Sequence, residues 1–153
     1  MWRKGRDGTM EYSDTVNLLR ECDAGSKMAV TSIDEVLEQI GDSNMKQLLQ
    51  ESKKHHEKLG KEIHSLLNTH GTPPKEPTVM AKGMSWMKTN MKMSISNSDA
   101  TVAELITDGC NMGVKSLHKY LNQYKAADDS SKKMCTNLIS IEEKLCKDLT
   151  KYL

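Results

Sequence analysis

The side chains able to do chemistry are few and widely spaced. Two adjacent imidazoles, His55 and His56, lie in a Lys/Glu-rich run, and cysteines stand at 22, 110, 135 and 146. A thiolate and an imidazole together are donors for zinc or copper(I). Cys110 with His55, and with Met28 or Met112 close by, is therefore a soft-metal candidate. The competing role for Cys110 is packing, because a buried free cysteine behaves as a small apolar residue. Cys22, Cys135 and Cys146 carry the same two readings. Neighbouring residues on a helix point about 100° apart, so His55 and His56 do not serve one site together. One imidazole is expected at the core edge, hydrogen-bonded to a facing hydroxyl such as Ser26, with the other in solvent. His64, His70 and His118 stand alone and read as surface residues. Met80, Met84, Met87 and Met91 are spaced 4, 3 and 4, a stripe that suits a soft metal or a promiscuous partner, although core packing is its expected role. No CxxC, phosphate loop, nucleophile elbow or HExxH occurs, and no residue is assigned to catalysis or to a cofactor.

These side chains must be carried by helices. The chain has 153 residues, enough for one domain with a real core. It has no Phe, two Trp and eleven Met, so methionine fills volume that aromatics would otherwise take. Leu, Lys, Glu, Met and Ala abound while β-branched runs are scarce, which favours helix. The 22 basic and 21 acidic residues leave a formal charge of +1, no field to draw the chain onto nucleic acid or anionic lipid. The opening Met1–Gly8 has charges but no apolar stretch behind it, and no apolar run approaches the ~20 residues of a membrane span. Dispersed cysteines in helical patterns point to reduced thiols and a cytoplasmic protein.

The strongest organising signal is a repeat. Asp23–Ile33 returns as Thr107–Leu117, with Gly25/Gly109, Met28/Met112, Val30/Val114 and Ser32/Ser116 in register. Glu57–Ile63 echoes Glu143–Leu149 at nearly the same offset. Two halves, each a helix pair, follow. Residues 1–11 read as a flexible N-terminal tail and 12–153 as the bundle domain. Ser13 or Asp14 is expected to cap a first helix that carries Val16, Leu19, Ala29, Ile33, Val36, Leu37 and Ile40 at helical spacing. Gly41 ends it, and Ser43 is expected to cap the second, from about 44 to 69. The stripe of that helix runs Met45, Leu48, Leu49, Ser52, His55 or His56, Leu59, Ile63, Leu66 and Leu67. His70-Gly71-Thr72-Pro73-Pro74 stops it. An additional amphipathic helix at about 78–94 lies in a long crossover, 70–98. Ser98 or Asp99 caps a third helix to about 125, and a capped turn at Asp128–Ser130 leads into a fourth. Short turns within each pair and one long link between them are the connectivity of an antiparallel four-helix bundle.

Gly25-x-x-Met28-Ala29, the ending His70-Gly71-x-Pro73, Trp86 in the crossover and Gly109-x-x-Met112-Gly113 give the chain a resemblance to the ferritin-like superfamily. It is most similar to a small bacterial ferritin-like family, related to rubrerythrin, of unassigned function. The resemblance implies where di-iron ligands would lie: one Glu on the first and third helices and a Glu-x-x-His on the second and fourth. Ser26 and Cys110 stand where the first two Glu would be. Ser52 with His55 takes the place of one Glu-x-x-His, and Leu138 with Ile141 that of the other. A register one residue later turns Lys53 and His56 inward, with Glu142 on the fourth helix. Neither register supplies the anionic oxygens that iron needs.

The expectation is an all-α, ferritin-like bundle without a working di-iron centre, and with no metal or cofactor assigned. Its role is that of a non-enzymatic structural, interaction or stress-related protein, self-associating as a dimer or higher, or binding a protein partner. One alternative is a zinc or copper protein using Cys110 and His55; another is a rubrerythrin-like di-iron oxidoreductase.

Overall fold

Apolar residues at spacings of three and four put one stripe of each helix against its neighbours. The computed structural model describes residues 2–71 and 98–153, with side chains from residue 9 onward. These form α1 (Trp2–Leu37), α2 (Ser43–Thr69), α3 (Asp99–Gln123), α4 (Asp129–Leu149) and a closing 3₁₀ turn, Thr150–Tyr152, with no strand among the described residues. On α2 the buried positions are Met45, Leu49, Ser52, His56, Leu59, Ile63 and Leu67. On α4 they are Ser131, Cys135, Leu138, Ile139, Glu142, Leu145 and Leu149. The crossover helix expected at 78–94, with Trp86 and the methionine stripe, lies outside the described residues.

The caps agree with side-chain chemistry but not always with the expected residue. Asp42, rather than Ser43, caps α2 by accepting from Met45 N at 2.9 Å. Ser98 caps α3, and Asp128 caps α4 by accepting from Ser131 N at 2.8 Å. The end of α2 turns at Gly71, whose φ of 68° is a left-handed conformation that only glycine adopts without strain.

The largest departure is at the start. α1 runs back to Trp2 through the segment that reads as a tail, and neither Ser13 nor Asp14 caps it. Gly5 and Gly8 weaken a helix without removing its hydrogen bonds, so it can propagate backwards from a packed region. That region is anchored by Tyr12, whose hydroxyl donates to the His70 carbonyl at 2.9 Å. Asp14 and Thr15 have another task. Asp14 Oδ2 accepts from Ala126 N at 2.9 Å and Thr15 Oγ1 from Asp128 N at 2.8 Å, holding the α3–α4 turn. In return Asp99, at the start of α3, accepts from Gly41 N at 2.8 Å and Asp42 N at 2.9 Å, holding the α1–α2 turn. Each hairpin turn is thus fastened by the other hairpin.

α1 packs along α2 and α3 along α4, while α2 meets α4 and α1 meets α3. This is the arrangement two repeated hairpins produce when they face each other about an approximate two-fold axis. The relation is imperfect: α1 also leans on α4, with no comparable packing of α2 on α3. The core divides into two apolar clusters, each fed by all four helices. One is built around Ile33, Val36, Leu49, Val102 and Leu149. The other is built around Leu18, Leu19, Ile63, Leu117 and Leu138. Between them lies a polar layer.

Candidate functional site

The polar layer lies halfway along the bundle, where α2 and α4 face each other. His56 is fully buried and Glu142 nearly so, at 7 % exposure. Their side chains meet with Nε2 and Oε1 3.3 Å apart. The other ring nitrogen, Nδ1, lies 2.8 Å from the Ser52 carbonyl of its own helix, so it carries the hydrogen and donates. With Nδ1 committed as donor, Nε2 hydrogen-bonds a carboxylate only when the ring is protonated. Burial works against the imidazolium. The Glu142 carboxylate and the Ser52 carbonyl overcome it and hold the His56 pKa above its ordinary value.

His55, one residue and about 100° further round α2, is exposed and is not brought to Cys110. Of the two sequence registers the structure follows neither whole. Ser52 and His56 face inward together, separated by four residues rather than three, and Lys53 lies outside in an ion pair with Asp34. The hydroxyl expected to meet the imidazole does not do so: Ser26 Oγ donates to the Asp23 carbonyl at 2.9 Å. Ser26 instead marks a close approach of α1 to α2. A Cβ on Gly60 would fall 2.9 Å from Ser26 Oγ, so only glycine admits that hydroxyl here.

Cys110 is buried on α3. The neighbouring Cys146, burial and the Glu142 charge push its pKa well up. Glu142 therefore acts on both an imidazole and a thiol. Beside this layer an elongated hollow of about 310 Å³ runs between α1 and α3, lined by Gly25, Ala29, Gly109, Cys110, Gly113 and Glu142 among others. Two of its walls are the copies of the repeat, and α4 closes it with Leu138, Glu142 and Leu145; glycine and alanine in register on α1 and α3 leave space where larger side chains would fill it.

The residues do not fit a di-iron centre. At the positions implied for its ligands stand Ser26, Cys110, Ser52, His55, Leu138 and Ile141. The structure adds His56 and a single carboxylate, Glu142. Among the described residues no group of three or more His, Cys, Asp or Glu is arranged to hold a metal ion.

A second buried acid gave no signal in composition or motif. Asp23, 1 % exposed, opens the first repeat and meets Lys27 Nζ at 3.0 Å and His64 Nδ1 at 3.3 Å. His64 is thus not the isolated surface residue it resembles in sequence. The echo of Asp23 in the second half is Thr107, so the repeat itself hides the acid.

Among the described residues, fold and site define four helices without a strand, centred on an imidazole–carboxylate pair, and no described helix is long and apolar enough to cross a membrane. No protein-family model, no curated protein and no solved structure matches this chain.

Proposed function

We propose that this protein is a ferritin-like bundle that works without a di-iron centre, as a non-enzymatic structural or interaction protein of the cytoplasm that self-associates. The observation that carries the reading is the closure of the His56–Glu142 pair. Each partner satisfies the other between two apolar clusters, and the four positions implied for glutamate hold two serines, a cysteine and a leucine. Iron that cycles between oxidation states needs several anionic oxygens, and one shared carboxylate does not provide them. A buried ion pair of this kind fixes how two helices align, so its role here is to set the register of α2 on α4.

The test is elemental analysis of untagged protein purified anaerobically, together with light scattering. Traces of iron, zinc, copper and manganese well below one per chain, in a dimer or larger particle, agree with the proposal. Two irons per chain would overturn it. One zinc or copper per chain, lost in Cys110→Ala and kept in His55→Ala, would replace it with a soft-metal role centred on Cys110 rather than on the pair His55 and Cys110.

A further inference from the structure

All four cysteines come in pairs, although they are far apart in sequence. Cys22 of α1 and Cys135 of α4 share one apolar cluster, and Cys146 of α4 packs against the other, which holds Cys110 of α3. The two pairs differ in access. Cys22 and Cys135 are both fully buried, within the cluster around Leu18 and Leu138, and the Cys135 thiol donates to the Leu117 carbonyl at 3.7 Å. Cys146 is partly exposed, and its sulfur lies across the turn of α3 that carries Cys110, 3.7 Å from the Thr107 carbonyl and 3.5 Å from Asn111 Oδ1. None of the four is in a disulfide.

We propose that Cys110 and Cys146 are an oxidative modification site, a dithiol that hydrogen peroxide converts to a disulfide joining α3 to α4. The reaction divides the labour by position. Cys146, reached from solvent, attacks one peroxide oxygen as its thiolate. The O–O bond breaks, Cys146 becomes a sulfenic acid, and the departing hydroxide takes up a proton to leave as water. Cys110, on the turn of α3 that Cys146 touches, then attacks the Cys146 sulfur. The S–S bond forms, the S–O bond breaks, and a second water leaves with the Cys110 proton. The two sulfurs give up two electrons and one peroxide is reduced to two waters.

Three features of the structure support these roles. A disulfide demands neighbouring sulfurs, and Cys146 Sγ already lies against the turn of α3, from Thr107 to Asn111, that carries Cys110. The neighbouring Cys110 lowers the Cys146 pKa, which favours the nucleophilic thiolate in the more accessible member. The neighbouring Cys146, burial and the Glu142 charge hold the Cys110 pKa up, so Cys110 keeps its proton until the second step. The sealed pair, Cys22 with Cys135, lies in the other cluster without the access and serves as an internal control. The inference is independent of whether the bundle acts as a structural or interaction protein.

The test treats the reduced full chain with one equivalent of hydrogen peroxide and reads intact mass and linked peptides without reductant. The expected product has lost two hydrogens, carries a Cys110–Cys146 link, and keeps Cys22 and Cys135 alkylatable once denatured. Cys110→Ser should stop at a sulfenic acid on Cys146, trapped by a 1,3-diketone. Cys146→Ser should show complete loss of both sulfenic acid and disulfide. Circular dichroism establishes that each variant is folded, and Cys110→Ala replaces Cys110→Ser if the hydroxyl disturbs the core. A first link between Cys22 and Cys135, links only between separate chains, or unchanged thiols at a dose that oxidises free glutathione would each overturn the proposal.

Discussion

His56 and Glu142 are a buried couple, and the consequences of removing one or both differ in sign. His56→Ala leaves Glu142 without its cation among apolar neighbours, and the expected loss is about 3 kcal/mol in a denaturant titration. His56→Leu combined with Glu142→Leu removes both desolvation costs, and stability should return to the parent value or exceed it. A double variant as unstable as the single one would mean that the pair is not self-contained. The same couple sets a pH dependence. His56 binds its proton more tightly folded than unfolded, so its contribution is fully present below the unfolded histidine pKa. It fades as pH rises through the higher folded value. The difference in unfolding free energy between the parent and His56→Gln should therefore shrink from mildly acidic toward alkaline pH. A difference that grows over that range contradicts the assignment. Sequence alone narrowed this residue to a choice of two. Adjacent histidines both continue a stripe of threes and fours from Ser52, and what decides between them is Glu142, opposite on another helix. No pattern within α2 contains that information.

At the scale of the elements, the existence, order and inward faces of the four described helices were legible, because Met45, Leu49, Leu59, Ile63 and Leu67 on α2 and Leu138, Leu145 and Leu149 on α4 lie on one period. The start of α1 was not. Asp14 looks like a cap because aspartate is a good acceptor near a helix start, but its acceptor is spent on a turn of the other hairpin. Local propensity and long-range capping use the same side chains, and sequence cannot separate them. Asp99 tests the principle. Besides lying in the first turn of α3, its carboxylate receives two amides of the α1–α2 turn. Asp99→Ala should cost about 1–2 kcal/mol, near the upper end for a lost cap. It should also speed amide exchange at Gly41 and Asp42, which are remote in sequence. Faster exchange confined to the first turn of α3 would reduce Asp99 to a local role.

For the whole molecule, the two apolar clusters are joined by four continuous helices, so neither end can unfold without dragging the other. Leu49→Ala at one end and Leu67→Ala at the other each empty a fully buried site, at an expected cost of about 2–5 kcal/mol. In both variants amide exchange should quicken together around Leu18 and around Ile33. Loosening of only the mutated end would show two folding units where one is expected.

The internal duplication has a further meaning at the bundle centre. His56 and Glu142 lie 86 residues apart and occupy corresponding places in the two halves, yet they touch. In a dimer of two identical hairpins, whatever residue occupied that place would have to face its own copy. Two histidines there would repel when charged, and two glutamates could not both ionise so close together. Two halves in one polypeptide are free of that constraint, because the corresponding places can hold different residues. Here one place holds the acid and the other the base, a heterotypic contact that a symmetric pair of identical hairpins cannot make.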